Sequence, residues 1–185
     1  MSLVVKQMKK SEIKELVNSA AKTKELCEIF FRYDPNESYL FPLMVSEKLF
    51  LSANEDYFMV DGFTVRRFVD VEKAEIKRDK CAEIIKLEGV LNKVKAPQID
   101  ITDWYSVFLS LSKLNINIIV EKESLDIDER QFAVGRIEKV LKSKIIFKAF
   151  DEEGIWQNEC YEIPYSQITS ITFDCRYVNV FSKYV

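Results

Sequence analysis

From residue 26 onward, most of the chain consists of short apolar and β-branched segments separated by polar turns. In the first half, these segments are residues 26–32, 39–46, 49–53, 64–68 and 71–76. In the second half, they are residues 116–120, 132–140, 144–150, 159–163 and 168–173. Short strands at regular spacing are typical of small β-barrels and sandwiches. The sequence therefore predicts two strand-rich blocks, each of the size of one small barrel.

Helical periodicity occurs outside these blocks. After Ser11, which we expect to be an N-cap, apolar residues recur on one helix face, and these are Ile13, Leu16, Val17, Ala20 and Ala21. Between the blocks, residues 79–115 contain two further helical patterns. The second has one stripe formed by Trp104, Val107, Phe108 and Leu111. Large aromatic residues at this spacing are mostly core residues, so we expect this stripe to be buried rather than to stack on a ligand.

The two blocks resemble each other. Phe68, Val71, Ala74 and Ile76 have the same spacing as Tyr165, Ile168, Ile171 and Phe173, and upstream Phe50 corresponds to Phe147. This predicts an internal repeat. Gly135 stands in the second block where a strongly bent strand needs a residue without a Cβ atom, and the first block has no matching glycine.

The second block also resembles known proteins. The run Val134-Gly135-Arg136-Ile137, the turn Asp151-Glu152-Glu153-Gly154-Ile155-Trp156 and the closing segment 163–171 resemble the Sm-like barrels of uncharacterised bacterial proteins. The resemblance is best over residues 117–185. It implies a fold, without an activity that could be assigned to particular residues.

Together these patterns predict a mainly β protein with helices, of the α+β class. We expect two tandem SH3-like or Sm-like small barrels joined by a helical connector. Residues 1–78 would form an N-terminal helix and the first barrel, and residues 79–115 the connector. Residues 116–185 would form the second barrel with a packed C-terminal tail.

The chain has no histidine, which excludes several kinds of chemistry. Ser-His-Asp and Cys-His catalysis are excluded, and the commonest metal ligand is missing. Among paired carboxylates, Asp100 and Asp103 stand at a helix start, where capping explains them. The four glycines are isolated, so a phosphate-binding loop is excluded as well. We therefore predict a protein that is not an enzyme and that has no cofactor and no metal; an enzyme that uses carboxylates alone is a third hypothesis.

The cysteines and the N-terminus bear on the compartment. Cys27, Cys81, Cys160 and Cys175 form no CxxC pair, which favours small buried side chains in a reducing compartment. In residues 1–10 an apolar run precedes lysines, the reverse of the order in a signal peptide. No apolar run approaches the ~20 residues that span a bilayer. We predict a cytoplasmic protein without a membrane partner.

Two groups of residues are candidates for binding. Trp156, Tyr161 and Tyr165 belong to an aromatic-rich C-terminal region, which fits either a core or a protein interface. Arg66 and Arg67 could contact nucleic acid, but the net charge of -3 disfavours that partner. The leading hypothesis is a non-catalytic binding or adaptor protein that contacts another protein. The alternative is an RNA- or DNA-binding Sm-like module, and assembly of copies through edge strands stays open.

Overall fold

A computed structural model describes residues 8–185, in which it places four α-helices and ten β-strands. Residues 1–7, and with them most of the N-terminal run that argued against a signal peptide, lie outside the described part. The helices are α1 (Lys10–Thr23), α2 (Lys80–Leu87), α3 (Trp104–Ser112) and α4 (Arg176–Phe181). The strands are β1 (Cys27–Phe31), β2 (Glu37–Val45), β3 (Leu49–Asp56), β4 (Met59–Arg67), β5 (Val71–Ile76), β6 (Ile118–Lys122), β7 (Gln131–Val140), β8 (Lys144–Phe150), β9 (Tyr161–Pro164) and β10 (Ser170–Phe173).

All ten strands form one antiparallel sheet in the order β5-β1-β2-β3-β4-β10-β6-β7-β8-β9. This confirms the α+β class. Two separate closed barrels are not seen, because β10 pairs with both halves and the sheet stays open at β5 and β9. In β10, Ile171 pairs with Val65 of β4 on one side and with Val120 of β6 on the other. The spacing of apolar residues does not encode which strands pair across the two halves, and so the sequence pattern missed this junction.

The two halves share several local features. Short 3-10 helices, Phe68–Asp70 and Tyr165–Gln167, precede β5 and β10. The β2–β3 and β7–β8 hairpins each contain a one-residue bulge, at Leu43 and at Glu138. When the two hairpins are aligned on their bulges, each residue pair of the first hairpin corresponds to one pair of the second; for example, the pair Val45–Phe50 corresponds to Val140–Ile145. In this register the counterpart of Phe50 is Ile145 and not Phe147, which corrects that detail of the sequence comparison.

Helix α1 packs its apolar face against the first half of the sheet. Ile13, Val17 and Ala20 are fully buried, as the periodicity predicted. The predicted N-cap is wrong by two residues, because Lys9 and not Ser11 precedes the first helical turn. The backbone N–H of Lys9 donates instead to the Glu12 carboxylate at 3.2 Å, which satisfies one donor at the helix start.

The connector and the tail supply the remaining helices. In α3 the predicted aromatic stripe is buried, and the Asp103 carboxylate accepts from the Ser106 N–H at 2.8 Å, which confirms its capping role. The tail forms α4, a helix that the sequence did not predict. It buries Val178 and stacks Phe181 on Phe150 with ring centres 5.5 Å apart.

Three further expectations concern single residues or segments. A Cβ atom on Gly135 would lie 2.0 Å from the Lys148 carbonyl oxygen, so the expected need for glycine is confirmed. Of the four free cysteines only Cys27 and Cys175 are buried, which corrects the expectation that all four are buried side chains. From residue 8 to the C-terminus, the helices are too short or too polar to cross a bilayer.

Candidate functional site

Arg66, one of the two basic candidates, is committed to contacts inside the fold. It lies on β4 and is 8% exposed. Its Nη1 atom is 3.0 Å from Oε1 of Glu123, and its guanidinium carbon is 3.8 Å from the centre of the Phe31 ring. The ion pair and the aromatic contact hold the guanidinium inside the fold, and a phosphate would have to compete with both.

Arg67 is engaged in the same way. Its Nε atom lies 2.5 Å from Oδ2 of Asp70, a residue that is 2% exposed. Asp70 follows Arg67 by three residues in the chain, and the 3-10 helix after β4 turns its carboxylate back to the arginine side chain. The structure therefore places Arg66 and Arg67 on neighbouring positions of β4 but directs each to a separate carboxylate.

The aromatic candidates pack against the body of the protein at separate places. Trp156 meets the Phe150 ring edge-on at 5.2 Å, next to α4. Tyr161 packs on Phe147 at 6.1 Å. All three candidates are partly buried, and they do not form a single exposed patch.

Tyr165 shows most clearly that these aromatic residues serve packing. Its ring stacks on Phe108 at 5.7 Å, and its hydroxyl donates to the Leu141 carbonyl at 2.6 Å. Burial, with a smaller effect of Tyr105 and Asp103, raises the pKa of Tyr165 to about 12. A hydroxyl held in this way is engaged inside the protein and is not offered to a partner.

The most exposed aromatic residue lies elsewhere, in the turn between β3 and β4. Tyr57 is 87% exposed and is followed by Phe58, which is 44% exposed. Both have positive φ, 45° and 67°, as in a type I′ hairpin turn. Asn and Gly favour such positions, whereas other residues lose about 1–2 kcal/mol each there. The Glu55 carboxylate accepts from the Phe58 N–H at 2.8 Å and so supports the turn.

A groove adjoins this turn. It has a volume of about 630 Å³ and lies between β4 and the segment from α2 to residue 94. Ile84 and Leu87 are three residues apart on one face of α2, and Leu87 is 83% exposed. We call the following residues the turn surface: Tyr57, Phe58, Met59, Val60, Ile84, Leu87 and Val94.

Acidic residues lie next to the turn surface, mainly on its β3–β4 side. The hairpin segment 49–65 contains Glu55, Asp56 and Asp61 and neither lysine nor arginine. Glu88 lines the groove from the α2 side. The surface is therefore apolar at its centre, and its β3–β4 side carries negative charge only.

The sequence analysis missed this surface for an identifiable reason. The polar residues 54–56 directly follow the predicted segment 49–53, and their polarity predicts the turn there, whereas the two central residues of the turn are Tyr57 and Phe58. The available signal was an aromatic pair that directly follows an acidic stretch between two strands. Such a pair has no core to enter at the tip of a hairpin.

Two further results concern metal binding and similarity to known proteins. Among residues 8–185 there is no cluster of three or more Cys, Asp or Glu side chains arranged to hold a metal ion. Comparison of the chain with family models, with curated proteins and with solved structures gives no match.

Proposed function

We propose that this protein is a non-catalytic binding module that holds another protein through the turn surface. The observation that carries the proposal is the Tyr57–Phe58 turn, where two aromatic residues occupy positions that cost backbone energy and leave their rings in solvent. Strained backbone in an exposed position persists where the strained residues have a use. Aromatic residues are the commonest energetic anchors of protein interfaces.

The chemistry of the turn surface defines its partner. An apolar centre with a groove of about 630 Å³ fits one or two inserted aliphatic or aromatic side chains. The carboxylates of Glu55, Asp56 and Glu88 favour a partner segment that carries lysine or arginine beside those side chains. The same charges disfavour a second copy of this acidic chain as the occupant.

The proposal includes an account of the scaffold. We infer that the two halves are copies of one five-stranded unit with the strand order of Sm-like barrels, joined edge to edge at β4 and β10. The shared strand order, the matching 3-10 helices and the matching bulges at Leu43 and Glu138 support this.

We also propose a cytoplasmic location. The cytoplasm is a reducing compartment, in which the exposed thiols of Cys81 and Cys160 stay reduced.

Nucleic-acid binding stays the alternative, and the observations favour it less. The Arg66 and Arg67 side chains are paired with carboxylates, and the exposed hairpin turn is acidic. A phosphate backbone would have to displace both ion pairs before it could use these residues.

The decisive experiment replaces Tyr57 by Asn and Phe58 by Gly in the same chain. Asn and Gly suit positive φ, so the variant should be more stable, with a free energy of unfolding about 1 kcal/mol higher than that of the wild type. Partners are captured from a host lysate with and without nuclease, and the main captured protein is then titrated against both chains. We expect the variant to bind it at least about tenfold more weakly.

A matched control removes exposed apolar groups at another place. Leu125 and Ile127 are 77% and 74% exposed, and their replacement by serine should leave the affinity unchanged. Equal affinity of wild type and the Tyr57→Asn/Phe58→Gly variant would overturn the proposal. Captured material that disappears with nuclease would favour the alternative.

A further inference from the structure

A second concave site lies on the opposite side of α2 from the turn surface. It has a volume of about 450 Å³, which is in the range of small-molecule sites. It is lined by the end of α1 and the segment before β1, by Phe41 of β2, by the segment between β5 and α2, and by α2 with residues 89–92. We call it the α1–α2 crevice. Four of its lining side chains are apolar and at least 93% buried, and these are Leu26, Phe41, Ile85 and Val90.

The charged groups around the α1–α2 crevice are not balanced. Lys24, Arg78 and Lys86 line it and are exposed, and within residues 8–185 none of the three has a carboxylate within ion-pair distance. Lys77 also lines it but lies 3.3 Å from both Glu28 and Asp79. Three cations are thus available at the mouth of an apolar cavity.

The three carboxylates that line the α1–α2 crevice each have a hydrogen-bond or ion-pair partner within the protein. Glu25 accepts from the Thr23 hydroxyl at 2.6 Å, and Asp79 accepts from the Ala82 N–H at 2.9 Å at the start of α2. Glu83 pairs with Lys80 at 3.0 Å. None of these carboxylates is paired with Lys24, Arg78 or Lys86, so the three cations can contact an anionic ligand.

We propose that the α1–α2 crevice binds a small organic anion with an apolar body, such as an aryl sulfonate or an acyl carboxylate. The apolar part would contact Leu26, Phe41 and Val90, and the anionic group would lie near Arg78 and Lys86. This inference goes beyond the proposed function, because no residue of the β3–β4 turn takes part. The turn surface and the crevice have no residue in common, although Val90 lines both the crevice and the groove beside the turn.

The test uses the full chain and two probes of this chemistry, anilinonaphthalene sulfonate followed by fluorescence and dodecanoate followed by calorimetry. The variant carries Arg78→Glu and Lys86→Glu. The two reversals replace attraction by repulsion at the anionic group, so they should weaken binding of both probes by about tenfold. Higher salt should weaken wild-type binding as well.

The control variant carries Lys113→Glu and Lys142→Glu, which reverse the same number of exposed charges outside the crevice. It should bind both probes like the wild type. Dodecyltrimethylammonium, with a similar chain and the opposite charge, should not displace the sulfonate. Equal binding by both charge variants would overturn the proposal. So would a signal that persists in Arg78→Glu/Lys86→Glu and disappears in Tyr57→Asn/Phe58→Gly, because the probe would then occupy the turn surface.

Discussion

Arg66 and Glu123 connect the two halves of the sheet through an ion pair of 3.0 Å. The arginine is buried against Phe31, and Oε2 of Glu123 has no hydrogen-bond partner among the described residues. Removal of one member of a buried pair leaves the other charge without compensation. We expect Arg66→Ala to lower the free energy of unfolding by about 2–4 kcal/mol, measured by urea denaturation.

Lys80→Ala is the matched control, because the Lys80–Glu83 pair is exposed and should contribute less than about 1 kcal/mol. A loss in Arg66→Ala as small as in this control would show that the buried pair does not stabilise the junction. The prediction also affects tests of the nucleic-acid hypothesis. If Arg66→Ala loses nucleic-acid binding, the lower stability of the fold would be a sufficient explanation, and the loss would not identify Arg66 as a contact residue.

Gly135 allows β7 and β8 to approach each other closely. A methyl group at this position would lie 2.0 Å from the Lys148 carbonyl oxygen, a backbone atom that cannot rotate away. We expect Gly135→Ala to destabilise the protein by about 3 kcal/mol or more, measured by the same denaturation. Gly89→Ala is the comparison, because its Cβ would meet no backbone atom and only the flexible Asn92 side chain at 3.3 Å. The φ of 62° at Gly89 adds a backbone cost of about 1–2 kcal/mol, so we expect a smaller loss than in Gly135→Ala. Equal losses in the two variants would contradict the steric argument.

Much of the local structure could be predicted from the sequence. The helix face of Ile13 and Val17, the stripe of α3 and the strands β5 and β8 follow from periodicity, because burial on one face leaves a pattern in the residues themselves. The pairing of β4 with β10 could not be predicted in this way. It depends on contacts between Val65 and Ile171, which are far apart in the chain.

The surroundings of the candidate site residues could not be predicted from residue type, and the reason is physical. Tyr165 and Arg66 were chosen for residue types that occur at interfaces, but the same types also fill cores and form buried ion pairs. The exposed pair Tyr57–Phe58 was missed because exposure depends on where the hairpin turns. A shift of two residues in the turn decides whether these rings face solvent.

The four thiols should differ in reactivity. Burial raises the pKa of Cys27 to about 12 and also raises the pKa of Cys175, whereas Cys81 and Cys160 are exposed. Because the thiolate is the reactive form, we expect two fast and two slow thiols with Ellman's reagent in the native protein. All four should react at similar rates in urea. Four equal rates in native conditions would contradict the burial of Cys27 and Cys175.

The open edge at β9 is protected by charge. Val65 lies three residues before the 3-10 helix that follows β4, and Glu162 lies three residues before the one that follows β9, so these two residues correspond. Leu49 and Lys144 correspond as well, because each pairs with the residue directly before its 3-10 helix. Val65 and Leu49 are buried, whereas Lys144 and Glu162 form a partly exposed ion pair of 2.6 Å. Charged residues on edge strands prevent further pairing.

We therefore expect Lys144→Leu with Glu162→Val to cause concentration-dependent self-association, measured by sedimentation equilibrium. The control replaces another exposed ion pair, Arg136 and Glu138 on β7, by the same apolar residues. A central strand has no free edge, so this control should associate less. Equal association of the two variants would show that added apolar surface, and not the edge, is responsible.

Glu121 should make the stability of the protein fall as the pH rises from acidic values. Burial raises the pKa of its carboxyl above the ordinary value of 4.5, the Ser170 hydroxyl bond at 2.6 Å opposes this in part, and Glu123 adds repulsion. The nearby Arg66 lowers this pKa and Asp34 raises it, both more weakly. The folded state therefore holds this proton more tightly than the unfolded state does.

Between pH 4.5 and the raised value, the folded protein carries more protons at Glu121 than the unfolded chain. Its contribution to stability is present below pH 4.5 and is lost as the pH rises through this window. Glu121→Gln keeps an acceptor for Ser170 and has no charge, so it should be more stable than wild type at neutral pH. The difference between the two chains, measured by urea denaturation across this range, should shrink toward acidic pH. A constant difference would mean that Glu121 does not titrate as its burial requires.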